Sequence, residues 1–178
     1  SIKDGDTIIL KNGEEVRSVG IDTPEKSRPY FDEAREANRK MVEGKKVILE
    51  FDIQKRDDRL RLLAYVWIVA DPLGESLLVN AELIKQGLAW VYSHRPNLRY
   101  RDYFVSLQKD AREKRIGIWS VPVSEEEYYI ASERSKKFVF HRPNCSNVRG
   151  ILEKNRIIFK SRDEALDLGY SPCRACKP

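Results

Sequence analysis

Asp6, Arg17, Asp22 and Glu25 bring three carboxylates and an arginine into the first 25 residues of a 178-residue chain. Ca²⁺ is a hard cation that takes carboxylate and carbonyl oxygens. An arginine presents a planar fork of donors that fits phosphate oxygens. A free carboxylate beside a metal can take a proton from water. Metal, arginine and base together suit attack of water on a phosphodiester. A second group stands at the other end of the chain: His141 and Cys145, then Cys173 and Cys176. Thiolate and imidazole are favoured Zn²⁺ ligands, and four of them complete a tetrahedral structural site. Two readings without metal stay open, one with buried thiols and one with a Cys173–Cys176 disulfide that leaves Cys145 free. Three clustered cysteines argue against a simple disulfide framework.

These groups need elements to hold them. Asn12-Gly13 between apolar runs is a strong hairpin signal. With a two-residue turn there, Asp6 lies opposite Val19 and Arg17 is its diagonal neighbour on the same face. Asp22 is an odd number of residues from Arg17, so an unbroken strand would send it to the other face. A shared site requires a bend, and Gly20 is the place for it. Next, Ala34, Ala37, Met41 and Val42 recur at helical spacing up to Gly44. Val47 to Ile53 and Leu62 to Val69 read as strands, Asp71 to Gly74 as a turn and Leu77 to Val79 as a short strand. Asn80 reads as the cap of a helix ending at Gly87, and Ala89 to Tyr92 as a strand. Tyr103, Phe104, Leu107 and Ala111 share one helical face, and Gly117 stops that helix. Five strands with interspersed helices suggest an OB-like barrel, which uses one sheet face and its loops for nucleic acid.

Pro122 to Glu127 is short, polar and acidic and reads as a linker. Beyond it, Arg156 to Phe159 reads as a strand and Ser161 to Glu164 as a capping box opening a helix that Gly169 ends. The expected architecture is therefore α+β: an OB-like five-stranded barrel with packed helices over residues 1–121, a linker over 122–127, and a small zinc-binding α/β module over 128–178.

Residues 1 to about 120 resemble the staphylococcal nuclease (thermonuclease) family. The likeness is carried by Asp4-Gly5-Asp6-Thr7, Arg17 five residues before Asp22, Asp22-Thr23-Pro24-Glu25, Asp57 through Arg61-Leu62-Leu63-Ala64-Tyr65, Gln86-Gly87-Leu88-Ala89 and Gly117-Ile118-Trp119-Ser120. The resemblance implies a Ca²⁺-dependent, sugar-nonspecific phosphodiesterase that acts on DNA and RNA and leaves 3′-phosphate ends. Asp6, Asp22 and the main-chain oxygen of Thr23 would hold Ca²⁺, and Glu25 would orient or deprotonate water. Arg17 and Arg61 would hold the phosphate, and Tyr92 would lie near the nucleotide. The family's usual Tyr-Gly before the second arginine is Arg59-Leu60 here. Leucine takes positive φ less cheaply than glycine, so the turn is open to change and Arg59 competes with Arg61 for the role. The distance to Leu63-Ala64-Tyr65 favours Arg61. The rival reading is a binding module of the same fold without catalysis.

Residues 128 to 178 resemble the zinc domain of the Ada DNA-repair protein, through Phe159 to Arg162 and Gly169 to Pro178. In that family the first cysteine ligand accepts a methyl group. Here His141 occupies its place, so a structural Zn²⁺ site is expected rather than methyl transfer. Arg142, Arg149, Lys154, Arg162 and Arg174 are candidates for DNA contact, or simply a solvated face.

Composition agrees without deciding. Charged residues make up 34%, apolar residues 41%, and the net charge of +5 permits a nucleic-acid partner only through local clustering. No apolar run is long enough to span a membrane. DNA or RNA is the expected partner, with no obligate protein partner and a monomeric state. No signal peptide is visible, and a start at Ser1 without methionine fits a trimmed precursor. The resemblance points toward a secreted or extracytoplasmic setting.

Overall fold

The computed structural model describes residues 1–69 and 76–178; the turn expected at 71–74 lies outside them. In chain order the elements are β1 (Ile2–Asp4), β2 (Thr7–Ile9), β3 (Glu15–Ser18), β4 (Ile21–Asp22), α1 (Phe31–Val42), β5 (Val47–Arg56), β6 (Leu62–Ile68), β7 (Leu77–Leu78), α2 (Val79–Lys85), β8 (Trp90–Val91) and α3 (Arg101–Glu113). After them come β9 (Tyr129–Ser132), β10 (Val139–His141), β11 (Arg156–Phe159), α4 (Arg162–Asp167) and β12 (Ser171–Pro172).

The first sheet runs β1-β2-β3-β6-β5, with β7 also paired to β6. Only β3 and β6 run parallel. Among the described residues this sheet is open, not the closed barrel expected. The chain leaves the sheet at Gly20, and β4 pairs with β8 in a separate ribbon. At the opposite edge α1 lies against β1, where the buried Asn38 amide donates to the Asp4 carbonyl at 3.2 Å. That contact takes up the Asp4 carbonyl at the β1 edge of the sheet.

The hairpin register differs from expectation by one residue. Thr7 pairs with Arg17, so Asp6 lies opposite Ser18 rather than Val19 and Arg17 is not its same-face diagonal neighbour, because the β2–β3 loop has three residues, Lys11 to Gly13. Asn12 Oδ1 accepts from the Glu14 N–H at 3.1 Å, and Gly13 adopts φ +85°. A turn followed by one left-handed residue is the usual three-residue hairpin solution. Two further readings are corrected. Asn80 does not cap α2, whose N-cap is Leu78. Its buried amide instead accepts from Val66 N at 2.9 Å and donates to Val19 O at 2.8 Å, tying β6 to the bend after β3. Tyr103 is 48% exposed, and the buried face of α3 is Phe104, Leu107, Gln108 and Ala111.

Three apolar clusters follow. The largest packs α1, α2 and α3 against the first sheet through Val16, Tyr65, Val66, Leu83, Ile84 and Phe104. Burying one such side chain contributes about 1.5–3 kcal/mol. The second joins the two ends of the chain: Ala111, Ile118 and Trp119 pack with Tyr129, Phe140, Phe159 and Leu166. The third surrounds Cys145 and Cys173 with Ile130 and Val148. The second sheet, β11-β9-β10-β12, carries the cysteine ligands' supporting strands, with β10 and β12 parallel. The segment 122–127 has no regular structure but is tied down: Arg142 pairs with Glu126 and donates to Ser124 O at 3.0 Å. No described helix is long and apolar enough to cross a membrane.

Candidate active site and metal centre

The bend at Gly20 decides the first site. Gly20 sits at φ +80°, and a Cβ there would lie 2.8 Å from the Phe104 ring. Only glycine fits both constraints. Beyond the bend β4 pairs with β8, Ile21 opposite Val91 and Asp22 opposite Trp90. The Asp22 carboxylate thereby turns back toward β3. Arg17 Nη2 lies 3.1 Å from both Asp6 Oδ2 and Asp22 Oδ1, so the two carboxylates share one site. The same guanidinium donates to Ser18 O at 2.7 Å and Ile21 O at 2.8 Å, which locks its position.

Asp6 is 5% exposed. Burial raises its pKa above the ordinary carboxylate value, with the Arg17 charge opposing. Its Oδ2 accepts from Thr23 N at 2.9 Å and Thr23 Oγ1 at 3.2 Å, so Thr23 lies directly against it. Glu25 is exposed at the mouth. Tyr92 is half-buried beside them, its N–H donating to Gly20 O at 2.8 Å. Burial foremost, and then the Asp22 charge, push its phenol up.

Arg61 lines the same cleft from the start of β6. Its Nε donates to Asp57 Oδ2 at 2.8 Å, and Asp57 Oδ1 accepts from the N–H groups of Arg59 and Arg61, each at 3.0 Å. The turn survives the missing glycine: Leu60 itself adopts φ +63°, exposed to solvent. Arg59 also borders the cleft and is exposed. The donor set around Asp6 and Asp22 is all oxygen, and its charge is met by guanidinium groups. Hard carboxylate oxygens of this kind fit Ca²⁺.

The second site forms where β10 and β12 run side by side. Phe140 pairs with Pro172, which sets His141 beside Cys173. Ligand atoms of His141, Cys145, Cys173 and Cys176 all lie within 4.8 Å of one another. His141 Nδ1 is 3.6 Å from Cys145 Sγ. The cysteines are free, so the disulfide alternative is set aside. Backbone and amide donors point at the sulfurs: Arg142 N at 3.3 Å from Cys176 Sγ, Asn147 Nδ2 at 3.5 Å from Cys173 Sγ. Burial first, then the Cys145 and Cys173 sulfurs, pushes the Cys176 thiol up to about 12. Three crowded sulfurs and one imidazole fit a tetrahedral Zn²⁺, which relieves that repulsion.

One residue of this site went unread as part of the first. Arg174, between two of the cysteine ligands, reaches the hairpin. Its guanidinium grips the Asp22 carboxylate in bidentate fashion, with Nε to Oδ2 at 3.0 Å, and its Nη1 lies 2.5 Å from Glu25. From the sequence Arg174 is only one of five candidates for DNA contact. Of the other four, Arg142 is engaged with Cys176 O at 3.1 Å, and Arg162 donates to Pro178 O at 3.1 Å while lying over Trp119. Arg149 and Lys154 lie outside the cleft. The cleft measures about 1050 Å³ and is lined by both ends of the chain.

An acid–arginine cleft on an open sheet, joined to a Cys/His knuckle, defines a nuclease with an appended zinc module. The family model for staphylococcal nuclease homologues matches residues 15–121, and the model for the metal binding domain of Ada matches residues 122–178. The chain belongs to the staphylococcal nuclease family. It is 39% identical over 126 residues to a thermonuclease of Staphylococcus hyicus, covering 66% of this chain and 71% of that one. Endonuclease YncB of Bacillus subtilis is 38% identical over 128 residues, covering 66% and 58%. Protein ParB of Escherichia coli is 35% identical over 143 residues, covering 76% and 78%.

Proposed function

We propose that the chain is a Ca²⁺-dependent phosphodiesterase that hydrolyses DNA and RNA, breaks the bond from phosphorus to the 5′-oxygen and leaves 3′-phosphate ends. Residues 1–121 form its nuclease domain, 122–127 the connection and 128–178 a structural zinc module that assists nucleic-acid binding. The observation that carries this reading is the gathering of Asp6, Asp22, Arg17 and Glu25 around the Gly20 bend. Asp6, Asp22 and the main-chain oxygen of Thr23 would hold Ca²⁺, which supplies positive charge for the phosphate oxygens. Glu25, exposed at the mouth, takes a proton from the attacking water or orients it. Arg17 and Arg61 hold the phosphate and meet the charge that grows as the fifth oxygen approaches. Arg59 and Tyr92 line the same cleft and would contact the substrate.

The test is degradation of single-stranded DNA in Ca²⁺ and then in EGTA. Cleavage that EGTA stops, with 3′-phosphate products, supports the reading. Asp22→Asn is expected to abolish that cleavage, and full activity in this variant would reject the site. One observation favours a second reading, a catalytically weak binding module: Arg174 occupies both Asp22 and Glu25. Oligonucleotide binding without turnover by a folded, zinc-loaded chain would decide for it.

A further inference from the structure

The cleft has two walls, and their charges differ. Among the described residues, the wall from residues before 122 contributes four cationic and six anionic side chains. The wall from residues after 122 contributes Lys136, Lys137 and Arg174 and no carboxylate. A polyanion meets net negative charge on the first wall and net positive charge on the second.

The second wall is held in place. The β9–β10 tip that carries the lysines is bound to the loop after β8: Arg95 N donates to Lys136 O at 2.9 Å, and Phe138 N donates to Ser93 O at 3.0 Å. His94 and Lys137 form a bridge of their own. Arg95 also stacks on Phe138, 4.4 Å from the ring centre. These contacts use the main chain of the lysine pair, so both ammonium groups stay exposed. Arg174, in the turn between Cys173 and Cys176, is held from the other side by its pairs with Asp22 and Glu25. Small-molecule sites reach roughly 1,000 Å³ at most. The cleft of about 1050 Å³ lies at the top of that range, and its two charged walls give a phosphate backbone contacts on both sides.

We propose that the zinc module is the second wall of the substrate groove. Arg174, paired with Asp22 and Glu25, screens the acid cluster from the strand, and Lys136 and Lys137 contact flanking phosphates of a single strand. The proposal rests on the nuclease reading for its substrate class, but binding measured in EGTA tests it without turnover.

The experiment is fluorescence anisotropy of a labelled single-stranded oligonucleotide against the full chain, in EGTA, over a salt series. Lys136→Ala/Lys137→Ala is expected to raise Kd about tenfold at low salt and to flatten the log–log salt slope by roughly 1.4, the value for two lost phosphate contacts on a single strand. Arg174→Gln is expected to weaken binding as well, because it bares the Asp22 and Glu25 carboxylates to the strand. Arg149→Ala/Lys154→Ala removes the same formal charge from the same module outside the cleft, and its curve should match the parent's. Zinc content and melting temperature equal to the parent's show that each variant is folded. If the 136/137 variant destabilises the tip, Lys136→Gln/Lys137→Gln carries the test. A 136/137 variant with parental Kd and slope overturns the proposal, as does an equal loss in the 149/154 pair. If the chain binds in this pattern but never cleaves, the nuclease reading fails and the groove stands.

Discussion

At the scale of single residues, the first site is chemistry of short range. Asp6, Arg17, Asp22 and Glu25 could be read from the chain because all four lie within 25 residues and only one bend separates them. The bend itself was legible from parity: side chains alternate along a strand, and an odd spacing demands a break. Leu60 offers a test at this scale. Its φ of +63° costs a non-glycine residue about 1–2 kcal/mol, and its side chain is 74% exposed, so it returns little by packing. Leu60→Gly should raise stability by about 1 kcal/mol after the extra freedom of the unfolded chain is subtracted, or roughly 2–4 °C in Tm. Thermal unfolding of the variant checks it; a Tm at or below the parent's would show that the turn carries no strain. Arg174 was not legible, because it lies 152 residues from Asp22 and only the packing of the two ends brings it there.

At the scale of elements, local signals gave the strands and helices well and their joints poorly. Asn80 shows why. An asparagine before a helix looks like a cap from its neighbours in sequence. Here the amide is buried and satisfies main-chain groups of two other elements, Val66 N–H and Val19 C=O. Asn80→Ala leaves both groups unpaired away from water and should cost about 2–4 kcal/mol by denaturant unfolding. Val19 adjoins the Gly20 bend, so the variant should also weaken Ca²⁺ binding at Asp6 and Asp22, read by calorimetry. A parental midpoint would show that the buried amide matters little. The hairpin register and the open sheet have the same origin. The first turned on one extra loop residue, the second on a helix covering an edge, and neither leaves a periodic trace.

At the scale of the whole molecule, the Cys/His cluster and the acid–arginine site are joined by side-chain contacts. Arg174, between Cys173 and Cys176, pairs with Asp22 and Glu25, and Arg112 of α3 pairs with Asp163 and Asp167 of α4. Stripping zinc with a strong thiol-compatible chelator should therefore do more than loosen residues 128–178. It should lower the melting temperature and increase amide exchange in β4 and in the loop after β8, followed by hydrogen-exchange mass spectrometry. Protection unchanged in residues 1–121 would mean that the two ends are energetically separate.

The apolar cluster of Ala111, Ile118, Trp119, Tyr129, Phe140, Phe159 and Leu166 ignores the point where the two family likenesses meet in the chain. Read as text, the protein is two cassettes joined end to end. Read as a solid, its seam runs through the middle of a core. An engineer who grafts the zinc cassette onto another nuclease must transplant the receiving surface with it, Ala111, Ile118 and Trp119 included, or the graft will hang from its tether with a bare oily face.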